Sequence, residues 1–212
     1  MHHIENIQKL FSSSDVEHPL IESYDVGSIE LPTGRIVACD PLITTDMPPF
    51  TPFFPSGSFP VVLHKEKESN CVAYVEIRFC SKKVTTWEMA LTEGQNLSDL
   101  SGEEIFGYPV ESGMGCFMDA ATQNGLFRLE QTLFERKGDD FMGIYEEFFH
   151  GEFFDQKGAI DQYAFLKPQE QEAGSIFAFE AGYGEGFYGS YIGFDASGQP
   201  VKLVSEFIEI GS

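Results

Sequence analysis

Two glycine-punctuated segments hold the residues best placed to do chemistry. One is Ser112-Gly-Met-Gly-Cys-Phe-Met-Asp119. The other is Ala181-Gly-Tyr-Gly-Glu-Gly186, which runs on into Phe187-Tyr-Gly-Ser-Tyr-Ile-Gly-Phe-Asp195. Glycine admits positive φ and lets another group approach the backbone closely. Each segment presents a carboxylate, Asp119 or Glu185, and Asp40 adds a third just before Pro41 at the end of a strand. Carboxylates on turns are the ligands of hard cations and the bases of proton-transfer reactions. If both segments lie on one rim of a sheet, they form a pocket lined by Asp40, Gly113, Gly115, Cys116, Asp119, Tyr183, Gly184 and Glu185. Unpaired carboxylates crowded there raise one another's pKa unless a cation or Arg35 offsets them.

Each of these residues also has a plain structural reading. Asp119 stands directly before a helical pattern, where an aspartate caps backbone N–H groups. Asp-Pro is a common start of a turn. A catalytic Cys116 needs a base or a positive environment to form its thiolate. None of the five histidines, His2, His3, His18, His64 and His150, falls within either segment, so Cys116 reads as a small buried hydrophobe. The Gly182-x-Gly-x-Gly186 string lacks the following helix that a dinucleotide fingerprint requires, because a strand over 187–194 is expected there instead. Cys39, Cys71, Cys80 and Cys116 form no CxxC pair and have no histidine at ligand spacing. No zinc site, other metal site or cofactor follows from them. They read as four reduced thiols in a cytoplasmic setting.

The formal net charge is -21, and the acidity is spread over both halves of the chain. Such a surface repels nucleic acid and steers a basic partner toward itself. Asp139, Asp140, Glu146, Glu147 and Glu152 form the densest acidic candidate, either a solvated helix face or a docking patch. The N-terminal residues lack the basic and apolar regions of a signal peptide. No apolar run approaches the length of a membrane span.

These residues must be positioned by strands and a few helices. A short helix is expected over 4–11. Strands are expected over 23–31 and 34–40, joined at Pro32-Thr33-Gly34. The proline- and phenylalanine-rich stretch from Pro41 to Pro60 reads as an ordered loop rather than a central strand. A strand follows over 59–64. From Cys71 to Phe79 the odd positions are all apolar, which predicts a strand with one buried face. Val84–Thr92, with Trp87 on its packed face, reads as its antiparallel hairpin partner across Ser81-Lys82-Lys83. Residues 93–117 read as loop. Two helices are expected within about 119–150. The first carries Leu126, Leu129 and Leu133 on one face, with Asn124-Gly125 interrupting its first turns. The second is capped by Asp139 or Asp140 and carries Phe141, Ile144, Tyr145, Phe148 and Phe149 at helical spacing. Strands over 160–166, 174–181, 187–194 and 200–209 complete the pattern, the last two joined at Asp195–Pro200. The order predicts a single α+β domain spanning 1–212, mainly antiparallel, with a two-helix insertion.

Several of these stretches together resemble the domain-of-unknown-function family 4241. They are Gly34-Arg-Ile-Val-Ala-Cys-Asp-Pro41, Pro60-Val-Val-Leu63, Trp87-Glu-Met-Ala-Leu91, Gly113-Met-Gly-Cys-Phe-Met-Asp119 and Gly182-Tyr-Gly-Glu-Gly-Phe-Tyr188. With them go Tyr191-Ile-Gly-Phe-Asp195, Gly198-Gln-Pro-Val201 and Ser205-Glu-Phe207. Family members often carry aspartate where this chain has Glu185 and Glu206, which keeps the carboxylate but changes its reach by one methylene. The resemblance implies a soluble bacterial domain and brings no catalytic mechanism with it.

The reading that joins these observations is a non-enzymatic cytoplasmic binding protein whose acidic surface engages a basic protein. An immunity protein against a basic toxin is one concrete form. One alternative is a metal-assisted hydrolase built on Asp40, Asp119 and Glu185. Another is a small-ligand binder with a glycine- and aromatic-lined pocket. Nucleic-acid and membrane partners are not expected.

Overall fold

Strands that are apolar on both alternating faces need cover on both sides, and this chain supplies it with two sheets and two helices. The computed structural model describes residues 2–153, 162–168 and 174–210. In chain order the regular elements are α1 (His2–Phe11), β1 (Ile21–Leu31), β2 (Ile36–Cys39), β3 (Gly57–Glu66), β4 (Val72–Arg78), β5 (Thr86–Met89), β6 (Tyr108–Val110) and β7 (Met114–Asp119). Then come α2 (Ala120–Lys137), β8 (Tyr163–Leu166), β9 (Ile176–Glu180), β10 (Gly186–Tyr188), β11 (Ser190–Phe194) and β12 (Pro200–Glu206). A six-stranded sheet runs β1-β3-β4-β12-β11-β5, a four-stranded sheet runs β2-β7-β9-β8, and β10 and β6 form a separate ribbon. All of these pairings are antiparallel. The fold is therefore α+β, as the element order predicts.

Alternation along single strands divides the side chains among three cores. On β2, Ile36 and Ala38 enter the core shared with β1, β3, β4 and β12, while Val37 and Cys39 enter an outer core. Phe177 and Phe179 of β9 face inward, and Ile176 and Ala178 face outward. The two sheets thus pack on each other, with stacked phenylalanines between them. α1 covers the free face of the six-stranded sheet, placing Ile7, Leu10 and Phe11 against Tyr74, Trp87 and Val204. α2 and the segment after it cover the free face of the four-stranded sheet through Leu126, Leu133, Ile144 and Phe149.

Several sequence expectations change at this level. β4 is buried on both faces rather than one, because it is a central strand. It pairs with β3 and β12, so the expected hairpin with residues 84–92 does not form. β5 instead pairs with β11 at the sheet edge. Alternation identifies a strand and its packed face, and Trp87 is indeed buried, but it does not identify the neighbour. β3 begins at Gly57 and includes Pro60, which faces Ser28 of β1, while the ladder with β4 begins only at Val61. A missing N–H is tolerated where no third strand asks for it. The stretch 93–117 contains β6 and most of β7. The single strand expected over 187–194 is two strands in different sheets, broken at Gly189.

The helical region also differs. α2 runs unbroken through Asn124-Gly125. The second helix is not an α-helix: 3-10 turns at Gly138–Asp140 and His150–Glu152 flank a π turn at Tyr145–Phe149. Neither Asp139 nor Asp140 caps it, and Gly143 at φ +97° separates them from its start at Ile144. The spacing of Phe141, Ile144, Tyr145, Phe148 and Phe149 still seats that segment on the sheet. The first two residues of the strand expected at 160–166 lie outside the described residues.

Candidate functional site

Strand register, rather than side-chain attraction, brings the two glycine segments together. β7 pairs with β9 so that Met114 faces Glu180, and β6 pairs with β10 so that Val110 faces Gly186. The connections 111–113 and 181–185 must then run side by side from the four-stranded sheet to the ribbon. The Ala181 N–H donates to the Gly113 carbonyl at 2.9 Å. Gly113 (φ +83°) and Gly184 (φ +109°) both hold left-handed backbone, which costs a side-chain-bearing residue energy. A Cβ on Gly113 would stand 3.8 Å from the Gly184 Cα. Tyr188 secures the second turn by donating its hydroxyl to the Gly184 carbonyl at 2.9 Å.

A groove of about 570 Å³ opens where these turns meet. Ser112, Gly113 and Met114 form one side, and residues Glu180 to Gly184 form the other. Leu42, Tyr145 and Phe153 close it. Tyr183 is 70% exposed, and its hydroxyl donates to Glu66 Oε2 at 3.0 Å. That bond raises the Tyr183 pKa above its ordinary value. Among the described residues no cation pairs with Glu180.

The three carboxylates expected to converge do not. Asp119 is fully buried and caps α2, accepting from the Ala121 N–H at 2.9 Å. It also accepts from the Thr33 N–H and hydroxyl and from the Gly34 N–H, at 2.7 to 2.9 Å. It pins the β1–β2 corner to the start of α2, at the end of β7 away from the groove. Asp40 is equally buried. Its Oδ1 accepts from the Leu42 and Ile43 N–H groups, and its Oδ2 accepts from those of Glu111 and Ser112. Asp40 therefore shapes the groove from behind without lining it. Glu185 is exposed and also lies outside the lining. Among the described residues no three His, Cys, Asp or Glu side chains gather in a way that could hold a metal ion.

Cys116 faces Cys39 across the β2–β7 ladder with sulfurs 3.5 Å apart, both fully buried. Burial first, and then the Cys39 thiol, push the Cys116 thiol well above its ordinary pKa. It is a core residue without a thiolate. Gly115 lies in β7, with the Phe179 ring 2.7 Å from where a Cβ would stand; close packing explains that glycine. Of the expected lining, Gly113, Tyr183 and Gly184 meet at the groove, and Asp40, Gly115, Cys116, Asp119 and Glu185 do not.

Of the acidic candidates, Glu146 and Glu152 adjoin the groove-lining Tyr145 and Phe153 in the chain. Asp139, Asp140, Glu146 and Glu152 are exposed, on the segment that sends Tyr145 and Phe153 into the groove wall. Glu147 is neutralised locally by Lys137, which lowers its pKa. Glu180, Met114, Tyr145 and Phe153 were not legible as site residues, because each became a lining residue only through pairing or packing.

A second polar cluster was also illegible. Glu76 of β4 is fully buried and meets His64 at 3.2 Å, Arg78 at 2.9 Å and Lys202 at 2.8 Å. Burial pushes its carboxyl up, but those partners outweigh burial and hold it at about 2. Burial likewise lowers the His64 pKa, despite the opposing pull of Glu76.

The class is thus a helix-covered antiparallel β-sandwich with a groove floored by two glycine turns. The chain belongs to the family described as Protein of unknown function (DUF4241), whose model matches residues 29–205 and so both glycine segments. No curated protein and no solved structure matches the chain. Among the described residues no helix is long and apolar enough to cross a membrane.

Proposed function

We propose that this protein is a non-enzymatic binding module that receives a basic segment of a protein partner in the glycine-turn groove. The observation that carries this reading is the composition of the groove and its border. Glu180 lies in the groove with no cation paired to it among the described residues, the Tyr145, Phe153 and Tyr183 rings stand around it, and the exposed Glu146 and Glu152 are chain neighbours of Tyr145 and Phe153. Aromatic faces and a carboxylate are the groups that bind a lysine ammonium or an arginine guanidinium. A net charge of -21 steers such a partner inward. A cytoplasmic bacterial setting, with an immunity-type role against a basic toxin, is the specific form of this reading. Four unpaired cysteines are compatible with it.

The metal-assisted alternative draws no support from the geometry, since Asp40 and Asp119 are spent on backbone N–H groups. The small-ligand alternative keeps one supporting observation, the volume of the groove.

The test is affinity capture from a lysate of the source organism at low and at physiological salt. The immobilised wild-type chain should retain a basic protein, and a Glu180→Lys, Glu152→Lys variant should retain it about tenfold less, a difference of roughly 1.4 kcal/mol. Retention that is indifferent to the two reversals, or that selects an acidic protein, rejects the proposal.

A further inference from the structure

Four of the 13 lysines and arginines of this strongly acidic chain line one cavity, and among the described residues no carboxylate lines it with them. The cavity, of about 620 Å³, opens at the C-terminal end of β4. Arg78, Lys82 and Lys83 come from the end of β4 and the following turn, Lys202 comes from β12, and Ser12 to Ser14 come from the loop after α1. A random patch of this chain would carry acid, so the lining is a departure that the fold maintains.

It is maintained by Glu76. That single buried carboxylate holds both Arg78 and Lys202, which leaves one positive charge in excess. Asp15 is an exposed and distant partner for Arg78 at 3.7 Å. The Lys202 ammonium is further fixed by the Ser13 carbonyl at 2.9 Å. Among the described residues the Arg78 Nε has no hydrogen-bond partner. Lys82 is matched by Asp195 at 2.6 Å, whereas Lys83 is exposed and has no ion-pair partner among the described residues. Three carboxylates, Glu76, Asp15 and Asp195, thus face four cations, which leaves the charge of Lys83 in excess at the cavity, with the hydroxyls of Ser58 and Ser81 beside it and the apolar walls of Phe59, Phe79 and Val84.

We propose that this cavity binds a small phosphorylated organic molecule, its phosphate held by Arg78 and Lys83 with serine hydroxyls and its apolar body against Phe59 and Phe79. A phosphate offers enough acceptors for guanidinium, ammonium and several hydroxyls together. The volume suits a small molecule. A nucleic-acid polymer is disfavoured, because the surface beyond the cavity carries the net charge of -21 and repels it. This site is independent of the glycine-turn groove, and neither proposal rests on the other.

Phenyl phosphate is a suitable probe, with inorganic phosphate, benzoate and benzyl alcohol as comparators, titrated calorimetrically into the full chain at about 150 mM salt to screen diffuse attraction. Phenyl phosphate should bind one to one and more tightly than each comparator. Cys80 lies exposed in the lining, so occupancy should slow its alkylation, read by mass spectrometry, and leave that of Cys71 unchanged. Lys83→Gln, at an exposed position with no ion-pair partner among the described residues, should weaken phenyl phosphate about tenfold without altering the melting temperature. Arg78→Gln should weaken it further. Absence of saturable binding, unprotected Cys80, or an affinity untouched by Lys83→Gln overturns the site. Benzoate binding as tightly as phenyl phosphate overturns the assignment of a phosphate.

Discussion

The groove between the glycine turns and the cavity beside Arg78 have similar volumes, about 570 and 620 Å³, but opposite linings. The groove is made of backbone turns, and its one carboxylate, Glu180, has no countercharge among the described residues. The cavity is made of two loops and of residues from three strands, and two of its cations, Arg78 and Lys202, are held by a buried carboxylate. In a chain with 34 acidic residues against 13 basic ones, an acidic groove needs only a concave surface. A basic cavity needs an anchor that gathers its cations in one place. Glu76 is that anchor: it is surrounded by its partners and cannot be reached by solvent.

The largest expected effect tests that anchor. Glu76→Ala leaves Arg78 and Lys202 facing an empty site, and breaking a buried pair of this kind costs about 3–5 kcal/mol. Urea unfolding should register most of that loss; a loss under about 1 kcal/mol, the scale of a surface change, would remove the anchor from the comparison.

Acid should reveal the same cluster in the wild type. Glu76 is held at about 2 against an ordinary value of 4.5. The stability it contributes is therefore complete above pH 4.5 and is lost as pH falls toward 2, on the order of 3 kcal/mol in all. His64, lowered from 6.5 by burial, acts in the same direction from a higher starting point. It favours folding while neutral, above pH 6.5, and loses that contribution as the pH falls. Glu206 is raised by burial and opposes both over part of this range. Urea midpoints measured from pH 7 to pH 3 should fall steadily. In Glu76→Gln the portion below pH 4.5 should flatten, and an unchanged profile in that variant would assign the acid lability elsewhere.

Asp40→Ala probes how the groove is shaped. Its carboxylate gathers four backbone N–H groups from residues 42–43 and 111–112, so its removal should cost about 2–3 kcal/mol. It should also weaken partner retention, although Asp40 does not touch the groove. Retention at the wild-type level in a destabilised Asp40→Ala protein would separate the groove from this support.

The smallest effect is expected at Glu180 itself. Glu180→Ala should change stability by no more than about 0.5 kcal/mol, because it gives up no ion pair there. A large loss would make Glu180 structural and erase its contrast with Glu76.

Much of the scaffold was legible in the residues. The alternation in Cys71–Phe79 and around Trp87 marked strands, and Asp119 before an apolar period marked a cap. Asp195–Pro200 marked a hairpin, which the Asp195 side chain closes by accepting from Ser197 and Gln199. The sequence offered a shared rim for Gly113 and Gly184 only as a condition, and the β7–β9 and β6–β10 registers supply it. Glu76 and Arg78 read as solvent-facing because alternation leaves open whether the second face of a strand is covered. α1 covers it, and Lys202 comes from the neighbouring β12. Asp40 and Asp119 looked like ligands because a carboxylate on a turn looks the same whether it faces a cation or backbone N–H groups.

By itself, then, the sequence determined the local facts: which stretches are extended, where α2 begins, where glycine is required, and that the surface as a whole is negative. Those follow from φ/ψ sterics, capping and residue charge, which act over a few residues. Tertiary structure decided which strands are neighbours and which carboxylates are spent. It also decided where a lone Glu180 is left open and where four cations line one cavity. These depend on register and burial between residues far apart in the chain, such as Glu76 with Lys202 or Gly113 with Ala181, and no local pattern encodes them.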